Sequence, residues 1–155
     1  MDTSLLGRVF RMDGTAGPTN IHKGWDWCSG YHYSDSILIG FSHTHLSGTG
    51  CTDLCDILIM PLNEIRTPRG NQDDIRDGYA SRYSHANEIA RPEYYSLLLD
   101  RYNFFIKAEL TATDRVGFHR YTYPEGKPAS ILIDLREGNG SNAYDSYIRK
   151  VDDYT

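Results

Sequence analysis

Residues 106–113 read IKAELTAT, the most regular alternation of apolar and polar side chains in the sequence. Successive side chains of a β-strand leave opposite faces, so this stretch predicts a strand with one buried face and one solvated face. Residues 116–123 predict a second strand, and Asp114 and Arg115 fit the turn between the two. The middle of the fold is therefore expected to be an antiparallel hairpin.

Four shorter segments on either side of this hairpin combine apolar side chains with flanking turn residues, as buried strands do. They are residues 36–41 (SILIGF), 56–61 (DILIMP), 94–99 (YYSLLL) and 131–135 (ILIDL). Residues 87–91 favour a turn of helix at most, because Pro92 follows them. Strands at intervals of about ten residues, separated by polar loops, predict an all-β fold, an antiparallel β-sandwich.

Length, charge and cysteine content limit the class of protein. A chain of 155 residues is long enough for one domain with its own core. The 16 Lys and Arg residues against 21 Asp and Glu residues give a net charge of −5 with no basic patch. Nucleic acid and anionic membrane surfaces are therefore poor candidates as partners, and no apolar stretch is long enough to cross a bilayer. The odd count of 3 cysteines argues against a densely cross-linked module.

The segment with the most functional side chains lies near the N-terminus. Residues 24–32 read GWDWCSGYH and residues 42–50 read SHTHLSGTG. Indole faces stack on apolar C–H surfaces, and imidazoles and hydroxyls form hydrogen bonds, so this mixture suits a pocket for a sugar. Asp26 lies between Trp25 and Trp27, where its carboxylate can accept hydroxyl protons while a ring covers a C–H face. Core packing is the alternative role for both tryptophans.

His43 and His45 lie two residues apart, so their side chains would share one face of an extended strand. Such a pair can contact a sugar or have a hydrogen-bonded structural role. With Cys51, Asp53 and Cys55 close in sequence, it can also form a zinc site. The spacing of these residues is not that of a structural zinc finger.

Two further segments can approach a ligand. Ser47 and Gly48 begin the run SGTG, a tight loop that brings the backbone close to a ligand because glycine has no side chain. The run lacks the Lys-Ser/Thr pair of a P-loop. Residues 117–120 read GFHR. Neighbouring side chains face opposite sides of a regular strand, so we expect Phe118 and His119 to reach a ligand together at a strand end or bulge.

The same segments resemble one enzyme family. Residues 24–61 are similar to the N-terminal domain of glycoside hydrolase family 92, the calcium-dependent exo-acting α-mannosidases. The resemblance returns at residues 79–85 (YASRYSH), 87–88 (NE), 110–123 (LTATDRVGFHRYTY) and 131–135 (ILIDL). Residues 1–22 do not show the family's opening pattern. We therefore divide the chain into a divergent, flexible N-terminal segment over residues 1–22 and a β-sandwich domain over residues 23–155.

The resemblance implies an enzyme that hydrolyses terminal α-mannose from glycans by an inverting, calcium-dependent mechanism. It also implies that the catalytic carboxylates and most calcium ligands lie in a C-terminal helical barrel outside this chain, which alone would be an inactive fragment. The domain would then supply walls of the mannose pocket and pack against the barrel. The substrate-binding residues expected in this chain are Trp25, Asp26, His43, His45, Ser47, Gly48, Phe118 and His119.

Two other functions fit the same residues. A stand-alone carbohydrate-binding module would use the aromatic side chains without chemistry, and a small metal-binding protein would use the histidines and cysteines. No opposed carboxylates suited to glycoside hydrolysis can be picked out, since acidic neighbours such as Asp73 and Asp74 fit turns or the surface more simply. Family members are commonly exported, but the first residues lack the basic and apolar regions of a signal peptide.

Overall fold

The computed structural model describes residues 36–38, 40–45, 54–64, 78–101, 104–135 and 145–154, with the backbone alone at residues 42–45 and 54–56. All regular secondary structure in these ranges is β-strand. The strands are β1 (Ile37–Leu38), β2 (Phe41–His45), β3 (Leu54–Leu62), β4 (Ser81–Arg91), β5 (Tyr94–Arg101), β6 (Phe104–Ala112), β7 (Gly117–Thr122) and β8 (Ser130–Asp134). Over the same ranges, no helix is long and apolar enough to span a membrane.

The strands form two antiparallel sheets. The larger sheet has the order β1-β4-β5-β6-β7, and the smaller has the order β2-β3-β8. All of the pairings are antiparallel. The structure thus confirms the predicted all-β, antiparallel sandwich. The predicted boundary between residues 22 and 23 lies outside the described residues and stays a prediction.

Strand β6 follows the alternation expected of residues 106–113. Ile106, Ala108 and Leu110 are buried, whereas Lys107 and Thr111 are exposed. The side of the larger sheet that carries Ile106 is its inner face, and the side that carries Lys107 is its outer face. Strands β5 and β7 pair with β6 in continuous register, so inner and outer positions alternate in step across all three strands.

The turn predicted at Asp114 and Arg115 joins β6 to β7. The backbone N–H of Thr113 donates to the carbonyl of Val116 (2.8 Å), and the backbone N–H of Val116 donates to Thr113 Oγ1 (3.2 Å). Both hydrogen bonds close the loop and leave Asp114 and Arg115 exposed. The predicted hairpin is confirmed, and β7 covers residues 117–122 of the expected 116–123.

Residues 36–41, predicted as one strand, contribute to both sheets. Strand β1 belongs to the larger sheet and β2 to the smaller one, and the buried Gly40 lies at the crossing. A Cβ atom on Gly40 would lie 2.9 Å from the backbone oxygen of Ile59 and 2.9 Å from Cγ of Leu58. Glycine therefore permits the close approach at which the chain changes sheets.

Aromatic and aliphatic side chains fill the space between the two sheets. Phe41 on β2 is fully buried, and its ring stacks on that of Tyr121 on β7. Tyr79 is also fully buried, and its Oη donates a hydrogen bond to Oδ2 of Asp134 on β8 (2.7 Å). The other buried members of this core are Leu38, Leu58, Met60, Leu62, Tyr83, Tyr95, Leu97, Leu99, Ile106, Ala108 and Leu110. The stacking of Phe41 on Tyr121 thus connects strands of opposite sheets, and Tyr79, which precedes β4, contacts β8.

The prediction of a turn of helix at residues 87–91 was wrong. These residues form the second half of β4, which ends with Arg91 opposite Tyr94 of β5. Proline disfavours the helical region for the residue before it, so Pro92 favours the extended backbone of Arg91. Pro92 and Glu93 then form the turn into β5, where Glu93 has a φ of 68°. Pairing with β5 outweighs the weak local preference for a helical turn.

Candidate functional site

The structure describes part of the predicted substrate-binding set. Four of these residues lie outside the described ranges, and their roles stay predictions: Trp25, Asp26, Ser47 and Gly48. The backbone is described for His43 and His45, and the side chains as well for Phe118 and His119. The predictions for Phe118 and His119 can therefore be compared with the structure in more detail.

His43 and His45 lie on β2, at one edge of the smaller sheet. His43 is opposite Ile57 of β3 and His45 is opposite Leu54, with a shift in register between these two pairs. The backbone is extended, but the register shifts between the two histidines, and that their side chains share one face stays a prediction. Both follow Phe41 on the same strand, so their position in the fold depends on how Phe41 packs.

Phe118 and His119 are the second and third residues of β7, near its start, and the predicted bulge is absent. Strand β7 pairs with β6 without a shift, with Phe118 opposite Thr111 and His119 opposite Leu110. In this regular register the two side chains leave opposite faces of the sheet. Phe118 is 61 % exposed on the outer face, and His119 is half-buried on the inner face. One sugar ring cannot lie against both side chains from the same side of the sheet.

His119 belongs to an aromatic cluster on the inner face, formed by Phe41, His119 and Tyr121. The His119 ring meets Phe41 edge-on, with centroids 5.9 Å apart, and its Nδ1 lies 2.6 Å from Oη of Tyr121. Burial raises the pKa of Tyr121, so the phenol keeps its proton and can donate it to His119 Nδ1. The inner-face cluster thus holds the His119 ring in a defined orientation, beside the strand that carries His43 and His45.

A bulge in β4 creates a second cluster, which the sequence interpretation missed. Tyr83 and Glu88 both pair with β5, but residues 84–87 stand between them against the single residue Leu98. Residues 84–88 read SHANE, and this mostly polar run breaks the alternation of a regular strand. Such a run inside a strand is the signal by which the bulge could have been found, since bulges redirect side chains.

The bulge directs a carboxylate inward. The side chain of Glu88 is 4 % exposed, and it accepts a hydrogen bond from Oη of Tyr95 (2.5 Å) and contacts Nδ1 of His85. The His85 ring packs edge-on against Tyr83, with centroids 5.3 Å apart. A carboxylate that contacts one ring nitrogen orients the imidazole. The β4 cluster therefore holds His85 in a defined orientation.

A third cluster lies on the outer face around Glu109, which is 7 % exposed. Its carboxylate accepts hydrogen bonds from Nε and Nη2 of Arg120 (2.8 Å each), from Oη of Tyr94 (2.7 Å) and from Nζ of Lys107 (3.1 Å). These donors, Arg120 above all, lower the pKa of Glu109 to about 2. The alternation placed Glu109 correctly on the outer face, but it could not reveal that neighbouring side chains cover it.

The described residues offer no ligand set for a metal. Over the ranges that the structure covers, no three His, Cys, Asp or Glu side chains come together as a metal ion requires. Two largely buried carboxylates, Glu88 and Glu109, are engaged by tyrosine and by basic side chains. They lie on opposite faces of the larger sheet, because Glu88 is opposite the buried Leu97 whereas Glu109 is on the outer face. These two carboxylates do not face a common space.

The chain is similar in sequence and in fold to proteins of one known family. Residues 14–155 match the family model of the glycosyl hydrolase family 92 N-terminal domain. The fold is similar to that of the family GH92 alpha-mannosidase BT3965 from Bacteroides thetaiotaomicron, solved in complex with mannoimidazole. The TM-score is 0.63, with 46 % sequence identity over 72 % of this chain and 15 % of that chain.

A second structure of the same alpha-mannosidase gives a TM-score of 0.65, with 42 % identity over 84 % of this chain and 18 % of that chain. The chain thus spans less than a fifth of the length of the enzyme it matches. A comparison with curated protein sequences gave no match. The family match over most of the chain and the structural similarity agree, and the chain therefore belongs to glycosyl hydrolase family 92, in which it matches the N-terminal domain.

Proposed function

We propose that the chain is part of an exo-acting α-mannosidase and supplies walls of the pocket that holds the terminal mannose of a glycan. The observation that carries this proposal is the similarity to an alpha-mannosidase solved with mannoimidazole, at 46 % identity over 72 % of the chain.

The inner-face cluster is the described part of this proposed pocket wall. His119 is held by Tyr121 and packs on Phe41, from which β2 continues to His43 and His45. Imidazole N–H groups and aromatic rings are the groups with which proteins grip sugar hydroxyls and C–H faces. Trp25, Asp26, Ser47 and Gly48 complete the proposed set from residues outside the described ranges.

Phe118 is removed from this wall because it lies on the other face of the sheet. A wall that contains His119 is on the inner face, whereas Phe118 is exposed on the outer face. The proposed mannose contacts therefore keep His119 but not its neighbour. Phe118 therefore has no role in the proposed mannose pocket.

The acid and the base of the reaction are proposed to lie in the C-terminal helical domain of the intact enzyme. An inverting glycosidase needs two carboxyl groups about 6.5–9.5 Å apart, with room for a water molecule. Glu88 and Glu109 do not meet this need, because they are engaged and lie on opposite faces of the larger sheet. Inversion and the use of calcium belong to the same proposal, with most calcium ligands outside this chain.

Hydrolysis of an activated aryl α-mannoside in the presence of calcium tests this proposal. The intact enzyme that contains this domain should release the aryl group, and chelation of calcium should abolish the release. The isolated chain should show no turnover above the buffer rate. An intact enzyme that is inactive on α-mannosides would contradict the proposed activity. An isolated chain whose activity survives repeated purification would contradict the proposal that the acid and the base lie outside this chain.

A further inference from the structure

The outer face of the larger sheet carries a cleft. Its volume is about 250 Å³, and it lies where β5, β6 and β7 run side by side. Five outer-face residues line it, Tyr94, Glu109, Thr111, Phe118 and Arg120, and so do two inner-face residues, Leu110 and His119. Pockets for drug-sized ligands measure about 300–1,000 Å³, so this cleft suits one small ring better than an extended molecule.

Phe118 provides an aromatic platform at this cleft. It lies on β7, the last strand of the larger sheet, and 61 % of its surface is exposed. Thr111 is its partner across β6, and Tyr94 of β5 lines the cleft as well. An exposed aromatic face beside an open cleft can stack on the apolar C–H face of a pyranose ring.

The polar groups of the cleft can form hydrogen bonds with sugar hydroxyls. Arg120 uses Nε and Nη2 to hold Glu109, so one of the two edges of the guanidinium is occupied and its charge is paired with the carboxylate. The side chain of Arg120 is nonetheless 73 % exposed, and the guanidinium has further N–H groups that can donate singly. The Glu109 carboxylate keeps the guanidinium in place for such contacts.

We propose that this cleft binds one sugar ring of a glycan, with Phe118 stacked on the ring and Arg120 donating hydrogen bonds to its hydroxyls. This inference rests on the proposed function, because an α-mannosidase encounters glycans as its substrates. The side chains of Phe118 and Arg120 lie on the outer face, whereas the proposed mannose pocket includes the inner-face cluster, so His119 borders both sites but Phe118 and Arg120 belong to the cleft alone. The cleft is therefore a second subsite, which holds a sugar other than the one that is hydrolysed.

NMR titration of the isolated chain with methyl α-mannoside and with an α-linked mannobiose tests the proposal. Saturable shifts should appear at Tyr94, Thr111, Phe118 and Arg120, as the ligand fills the cleft. Phe118→Ala should weaken binding at these positions about tenfold, equivalent to about 1.4 kcal/mol, the size of an aromatic contact. Phe118 is largely exposed, so the variant should keep the melting temperature of the wild type.

Phe105→Ala is the matched control. Phe105 is also an exposed phenylalanine of the outer face, 49 % exposed on β6, but it does not line the cleft. This variant should bind both sugars as the wild type does. No saturable shift at the cleft residues, equal affinity of wild type and Phe118→Ala, or an equal loss in both variants would overturn the proposal.

The mannosidase assay of the intact enzyme separates this inference from the proposed function. Turnover of the aryl α-mannoside without sugar-dependent shifts at the cleft would leave the proposed function standing and refute the subsite. Shifts at the cleft without turnover by the intact enzyme would support the subsite as a glycan site and refute the proposed function. The two measurements use different proteins and different readouts.

Discussion

Phe41 and Tyr121 stack across the two sheets, with ring centroids 6.2 Å apart and ring planes within 24° of parallel. Phe41 begins β2 at the edge of the smaller sheet, and Tyr121 lies on β7 at the edge of the larger sheet. The contact thus joins two edge strands. His119 meets the same phenylalanine edge-on, so one buried ring connects the strand of His43 and His45 to the inner-face cluster.

Phe41→Ala should destabilise the fold by about 3–5 kcal/mol, the usual cost of truncating a buried phenylalanine. Phe41 is fully buried, so its loss leaves a cavity between the sheets. Urea unfolding of the isolated chain measures the change. Phe105→Ala, at a half-exposed position, should cost less than about 1 kcal/mol by the same method. Similar losses in the two variants would show that Phe41 does not hold the sheets together.

Glu109→Gln should reduce the sensitivity of the fold to acid. Folding lowers the pKa of Glu109 from 4.5 to about 2, so the ionised carboxylate stabilises the folded state. That contribution is complete above the unfolded pKa and is lost as the pH falls from about 4.5 to about 2. The difference in unfolding free energy between wild type and variant should therefore shrink across this window. A difference that stays constant from neutral pH to pH of about 2 would refute this role of Glu109.

Glu93→Gly should stabilise the chain. Glu93 has a φ of 68°, a left-handed conformation that disfavours residues with a Cβ. Glycine removes this strain but has more freedom in the unfolded chain, so the net gain should be about 0.5–1 kcal/mol. Thermal or urea unfolding measures it. A loss of stability would mean that the Glu93 side chain contributes more than its backbone conformation costs.

Gly126→Glu provides the reverse substitution at a matched position. Gly126 has a φ of 70°, and a Cβ atom there would have no neighbour within 4 Å. The substitution thus tests backbone conformation without a steric clash. It should cost about 1 kcal/mol. If both variants changed stability in the same direction, left-handed strain would not explain either result.

The sequence predicted the elements that depend on local alternation. The pattern IKAELTAT became β6, with the predicted inner and outer faces although Glu109 on the outer face is buried, and Asp114 and Arg115 form the expected turn. Residues 87–91 were assigned wrongly because their pattern is short and polar, and only pairing with β5 makes them a strand. The division of residues 36–41 between two sheets likewise depends on Gly40 meeting Ile59, a contact distant in sequence.

The clusters of polar side chains were less predictable. Glu109 and Arg120 lie 11 residues apart and meet because they are cross-strand partners, so their contact follows only once the register is known. Glu88 and Tyr95 meet because of a bulge, whose only trace in the sequence is an interrupted alternation. The resemblance to a mannosidase family, by contrast, depends on short sequence motifs that can be read without knowing the fold. The family match over residues 14–155 confirms it.

The most direct test of the role proposed for this domain in a mannose pocket is the kcat/KM of the intact enzyme carrying Trp25→Ala, measured on an aryl α-mannoside together with the melting temperature. If Trp25 covers a C–H face of mannose, kcat/KM should fall at least about tenfold, because an aromatic contact supplies about 1.4 kcal/mol, and the melting temperature should change little. A core tryptophan would instead cost about 3–5 kcal/mol of stability. A variant that unfolds readily while its folded fraction keeps wild-type activity would contradict the proposed pocket wall.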